Sequence, residues 1–435
     1  MILIPKYSRT VIVILTMFII MIPKVNIISI GAFKGAGLRI DDFLLFGILA
    51  LFFLLFILKK RVVITKYEFV FSIFILIGFI SLVLNSFYQR GNILFLIRLI
   101  EYFTFFYIGM LFTKKQFIDI MCCFVVVNCF VILLQYYKVL GILKDGVYGT
   151  NVGLPSGLTN GSYEISMALV FAFIGIVIVT QNKIIENYKK KDLLFFVALI
   201  SIYMTGSRTG LALLITSYFL FCYFEKRLSK KLFFVAVSIL LLVILSISLT
   251  KSASKQDSSF ERFNSLFQSD IKTILVEVTS IRSGEVEGVK GEDVLKTQIS
   301  LKTGNIKQQL TDEGLEGDLS LLIRLSKWVW ATKTYLNQPF LYKIIGIGPG
   351  TLGNALDGGN LRILIEYGLL GFLTFFYLLF LFAKINKNIA ILCMTFFISN
   401  TFIDYFMSYK VMSIFLFILG FLTRWEYQLN NKGIK

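Results

Sequence analysis

The sequence predicts an all-α polytopic membrane protein with about twelve transmembrane helices and one large external loop. Three observations lead to this class. The chain is 57% hydrophobic and 16% aromatic, with a mean hydropathy of +0.78. Runs of Phe, Leu, Ile and Val long enough to cross a bilayer flank a polar stretch of about ninety residues, Lys251 to Tyr342, nine before it and three after. The runs do not alternate apolar and polar residues as barrel strands would, so the spans are helices.

A helix needs about 20 mostly apolar residues to cross about 30 Å of hydrocarbon. The runs that qualify are residues 10–30, 43–58, 67–85, 93–112, 117–137, 163–180, 193–206, 210–224, 232–249, 361–383, 389–407 and 410–423. The first follows Lys6 and Arg9 in the manner of a signal peptide. It lacks a small-residue cleavage site and is followed by further spans, so it is read as uncleaved. The chain divides into spans 1–9 (1–250), an external loop (251–345) and spans 10–12 (346–435). Short outer loops are expected near 31–42, 85–92, 138–162, 206–209 and 408–409. Within the large loop, residues 251–318 carry only weak amphipathic signals. Residues 319–338 read as an interfacial helix, with Leu322, Leu325, Trp328, Val329 and Thr332 near one face. Asp318 is its expected N-cap, and Pro339 lies past its end.

The net charge of +18 does not mark a nucleic-acid binder. The basic clusters at Lys59–Arg61, Lys114-Lys115, Lys189–Lys191, Lys226–Lys231 and Lys384/Lys387 fall at every second loop. That is the positive-inside pattern, which predicts cytoplasmic termini and an external large loop. The five cysteines lie in apolar runs and there is no histidine, so no disulfide framework, cofactor or metal is expected. Asp41-Asp42 could bind a metal, but a helix cap is the preferred reading.

The chemistry-bearing candidates gather at the outer ends of the spans. Arg208, in the short GSRTG loop (206–210), could grip phosphate oxygens with its planar fork or anchor a helix end. Arg324, on the interfacial helix, could complete a two-point clamp for a pyrophosphate or face solvent. The GIGPG run (346–350) could form an anion nest, but a tight turn back to the membrane is the preferred reading. Asp357, just outside the tenth span, is a candidate general base in a chain without histidine, or a helix cap. Asn360, Arg362, Glu164 and Asp404 are candidate substrate contacts. Arg98 with Glu101, and Asp404 with Lys410, are charges in or beside spans, which generally pair inside a bundle.

Taken in order, Ser207-Arg208, the Arg-x3-Trp of Arg324 and Trp328, the Gly346–Gly350 turn and the Glu-x-Gly-x-x-Gly of Glu366, Gly368 and Gly371 resemble the O-antigen polymerase and ligase superfamily of bacterial envelope glycosyltransferases. The stretch from Asp357 to Gly371 is also similar to the corresponding loop end of peptidoglycan polymerases of the shape, elongation and division class. The resemblance implies a GT-C-like glycosyltransferase in the bacterial inner membrane. It would polymerise undecaprenyl-pyrophosphate-linked oligosaccharide repeat units at the outer face. Its partners would be a lipid-linked donor and acceptor, membrane lipids and a chain-length regulator protein, with no nucleic acid. Ligases of the family carry a functional histidine where this chain has Asp357 to Asn360, which favours a polymerase. Arg208 and Arg324 would hold the pyrophosphate and Asp357 would accept the acceptor's proton. A ligase, a lipid-linked oligosaccharide flippase and a non-catalytic assembly component are the alternatives.

Overall fold

The computed structural model describes residues 6–22, 26–29, 37–39, 42–49, 65–85, 92–144, 147–150, 154–159, 161–181, 188–224, 319–352 and 356–431. Within them the chain is predominantly helical, with two small hairpins. The helices are α1 (Lys6–Met21), α2 (42–49), α3 (Lys66–Leu84), α4 (Asn92–Gly109), α5 (Lys114–Tyr136), α6 (Ser162–Gln181), α7 (Tyr188–Met204) and α8 (Arg208–Phe224). After the large loop come α9 (Leu319–Asn337), α10 (Phe340–Ile345), α11 (Gly359–Ala383), α12 (Lys387–Phe402) and α13 (Tyr409–Asn431). The hairpins pair β1 (Asn26–Ser29) with β2 (Gly37–Arg39) and β3 (Ile142–Lys144) with β4 (Val147–Thr150), both antiparallel.

Among the described residues, four helices, α3, α5, α6 and α11, are long and apolar enough to cross a membrane. Their length and composition are those of a helical membrane protein. A described helix falls within each expected run except 232–249, which lies outside the described residues with 251–318 and Asp318. The first run departs from expectation. Its helix stops at Met21 and residues 26–29 form a strand, because Pro23 disfavours helical backbone at the residue before it. Lys410 of α13, buried, donates to the carbonyls of Ile19 (2.5 Å) and Ile20 (3.1 Å), satisfying acceptors that the end of α1 leaves open.

Local sequence fixes the helix starts. Thr113 and Gln116 form a capping box on α5, with Gln116 N–H donating to Thr113 Oγ1 at 3.3 Å. Asn386 caps α12 by accepting from Asn388 N–H at 2.6 Å. Burial then ranks the helices. The apolar window of α6 is 89% buried against 33% for α3, so α6 is central and α3 peripheral. Glycines permit the closest crossing: a Cβ on Gly109 of α4 would overlap the Phe417 carbonyl, and one on Gly420 of α13 the Phe106 carbonyl. Small residues at such a contact let two apolar helices pack backbone to backbone.

The expected outer loop 138–162 is partly folded inward. Pro155, Ser156, Gly157 and Thr159 are buried. Gln135 Oε1 accepts from Ser156 N–H (2.9 Å) and Gly157 N–H (2.8 Å), and Asn128 Oδ1 accepts from Leu158 N–H (3.0 Å). Irregular backbone at this depth needs such internal partners. The turn delivers the chain into α6.

Candidate functional site

The site is built at the end of the bundle where α6, α8, α11 and α13 begin. Helix α9 lies against the start of α11 through an apolar cluster of Trp330, Ala331, Ile347, Leu352, Leu356 and Ile365, flanked by Leu325, Trp328 and Val329. Thr332, expected on that face, is exposed. The next helix begins at Phe340, with Pro339 as its N-cap.

Two α9 side chains fasten Asp357. Trp328 Nε1 donates to its carbonyl at 2.6 Å, and Lys327 Nζ pairs with its Oδ2 at 3.3 Å. Lys327 is buried, whereas Asp357 leaves 34% of its side chain exposed. Gly358, at φ 106°, passes between Trp328 and Thr401, where a Cβ would stand 3.0 Å from each. Asp357 does not cap α11 through its side chain: Gly358 occupies the cap position and makes no side-chain bond.

Behind this surface stands a buried charge relay. Arg362 donates from Nη1 to Glu366 Oε1 (2.8 Å) and from Nε to Asp404 Oδ2 (2.5 Å). Glu366 also accepts from the backbone N–H of Gly350 (2.9 Å) and Leu352 (3.0 Å). The GIGPG turn does cradle an anion, and that anion is the protein's own Glu366. The turn also docks on a break in α11. Gly368 adopts φ 68°, and the N–H groups of Ile347 and Gly348 donate to the carbonyls of Ile365 (3.0 Å) and Glu366 (3.1 Å). Arg362 and Asn360, expected at the substrate, are instead inside the framework. Asn360 donates to Phe397 O (2.9 Å) and Thr401 Oγ1 (2.7 Å) and accepts from Asn400 (2.8 Å). Asp404 pairs with Arg362 rather than with Lys410, which is committed to α1.

On the other side, Arg208 opens α8 and is half-buried. Ser207, just before it, hydrogen-bonds Ser166 of α6 at 2.7 Å, and Gly210 lies where a Cβ would meet Ser166 at 2.8 Å. Two residues earlier in α6, buried Glu164 accepts from Ser408 at 3.0 Å, and the Tyr163 carbonyl accepts from Tyr405 at 3.3 Å. Tyr405 lies within electrostatic range of Arg324, and Tyr163 within range of Glu164, Asp357 and Asp404. The 404–408 turn thus joins the Arg208 side to the Arg324–Asp357 side. Glu164, Asp357 and Asp404 lie around Tyr163, and Arg324 lies in range of Tyr405, whereas Arg208 is tied to this region through the Ser207–Ser166 bond beside it.

Sequence reasoning passed over Lys327, Asn400, Tyr163 and Tyr405. A lysine three residues after Arg324 reads as solvated until the turn it covers is known. Among the described residues, no group of three or more Cys, Asp or Glu side chains could hold a metal ion. No family model matches the chain, and no curated protein matches it.

Proposed function

We propose that this protein is a membrane glycosyltransferase that polymerises undecaprenyl-pyrophosphate-linked repeat units into a surface polysaccharide at the outer face of the bacterial inner membrane. The observation that carries the reading is a partly exposed Asp357 held in place by Trp328 and the buried Lys327 of α9, with Arg324 three residues earlier on the same helix and in range of Tyr405. With the motif order of the chain, this arrangement fits a reaction on a pyrophosphate-linked glycan.

In the proposed reaction an acceptor hydroxyl attacks the donor's anomeric carbon, and the new C–O bond forms as the bond to pyrophosphate breaks. Undecaprenyl pyrophosphate leaves with the electron pair, and Asp357 takes the hydroxyl proton. Arg208 and Arg324 hold the pyrophosphate. Pyrophosphate is already a good leaving group, so positioning and charge stabilisation carry the rate. Direct displacement inverts the anomeric centre; retention in the product by NMR contradicts it.

The test is deletion in the native host with complementation by wild type, Arg208→Ala, Arg324→Ala and Asp357→Asn. Each arginine variant should lose about 10²–10³ in rate, by analogy with losing one oxyanion donor. On a gel, deletion should reduce the polysaccharide ladder to one repeat unit on its surface anchor. Loss of every band, including that single unit, points to a flippase or ligase.

A further inference from the structure

We propose that the exposed ring of Tyr163 is a platform for a sugar ring of the lipid-linked glycan, with the Glu164 and Asp357 carboxylates accepting hydrogen bonds from that sugar's hydroxyls. The inference rests on the polymerase reading above and assigns its glycan a seat distinct from the arginines.

Tyr163 lies in the first turn of α6, yet 43% of it is exposed, beside buried Glu164. Its ring lies against the backbone of Gly161: a Cβ there would stand 2.7 Å from ring carbon Cε1, so the missing side chain is what admits the ring. Tyr405 backs it, with ring centroids 6.4 Å apart and its hydroxyl bonded to the Tyr163 carbonyl. The ring therefore has a fixed seat and an open part.

The surroundings name the ligand class. An interfacial tyrosine that only anchors a helix points its hydroxyl to water or lipid headgroups. The Tyr163 hydroxyl instead lies in the field of three carboxylates, Glu164, Asp357 and Asp404. Asp404 is committed to Arg362 and Met407 N–H. Glu164 uses Oε1 for Ser408, while its buried Oε2 has no hydrogen-bond partner among the described residues. A buried acceptor lacking a donor is costly, and a ligand hydroxyl would satisfy it once the Glu164 carboxylate turns toward the ligand. With Asp404 paired to Arg362 and Asp357 to Lys327, the acceptor left over is Glu164 Oε2, which matches a hydroxyl donor rather than a phosphate, so the ligand is a polyol. A sugar fits both parts: its C–H face, partly positive, stacks on the negative face of an aromatic ring. Its hydroxyls make charge-assisted bonds to carboxylates.

The test uses protein in lipid nanodiscs and two probes. One is the host's single repeat unit, released from lipid and reduced at its anomeric end so that it cannot act as donor. The other is bare undecaprenyl pyrophosphate. Tyr163→Ala should weaken the glycan about tenfold or more while leaving undecaprenyl pyrophosphate within about twofold. Tyr163→Phe and Tyr163→Trp should retain glycan binding. The platform is overturned if Tyr163→Ala binds glycan like wild type, or if Tyr163→Phe loses as much as alanine. If Tyr163→Ala loses both probes through misfolding, Gly161→Ala decides, because it crowds the ring from its seat. Weaker glycan binding in Gly161→Ala with lipid binding intact supports the platform, and unchanged binding overturns it. Wild-type protein that binds neither probe overturns the polymerase reading itself, which is a separate result.

Discussion

Arg324 and Arg362 carry the same guanidinium in opposite circumstances. Arg324 lies half-buried on α9, in range of Tyr405, whereas Arg362 is 1% exposed and bonded to two carboxylates. Removing one member of a buried ion pair strands the other, at about 3–5 kcal/mol. Arg362→Ala and Glu366→Ala should therefore lower the melting temperature of the detergent-purified protein steeply, and Arg324→Ala should leave it near wild type while losing the polysaccharide ladder. Equal melting for all three contradicts this division. The sequence shows Arg362 and Glu366 at helical spacing. Their link to Asp404, 42 residues from Arg362, belongs to the fold alone. Asp357 was legible as a polar residue outside a span, but its lysine partner, 30 residues earlier, was not.

Helices were the most legible elements, since apolar runs of bilayer length need no tertiary information to be read. The irregular pieces were less so. The inward turn 154–159 hangs from Asn128 and Gln135, two amides inside an apolar run whose polarity was its only sequence trace. The break in α11 was hidden because a glycine inside a helical pattern is often tolerated without a break. Gly368→Ala tests its importance: the positive φ is strained for any L side chain, and the added Cβ would overlap the Ile344 carbonyl. This variant should increase proteolysis between 338 and 358, with α12 and α13 still protected. Gly420→Leu should instead separate α4 from α13 and lower the melting temperature of the whole bundle. A Gly420→Leu protein that melts like wild type contradicts the close crossing.

At the scale of the molecule, the site end and the lysine-bearing end at Lys384 and Lys387 lie at opposite ends of α11. The orientation proposed from the basic clusters is tested with a membrane-impermeant maleimide on cells lacking the five native cysteines. Gln338→Cys should label in cells whose inner membrane is intact, and Lys387→Cys only after that membrane is opened. The reverse pattern inverts the topology and removes the external site. The contact between the 346–350 turn and the broken α11 also sets an order in time. The turn leaves the ribosome first and waits for acceptors at Ile365 and Glu366 that do not yet exist. Asp404, which steadies Arg362, is synthesised later still. On the proposed orientation, the reaction centre is therefore a late product of biogenesis. On that orientation and the proposed function, it closes only after the large loop has been exported, so a nascent or mis-inserted chain would meet the proposed lipid substrate without the means to act on it.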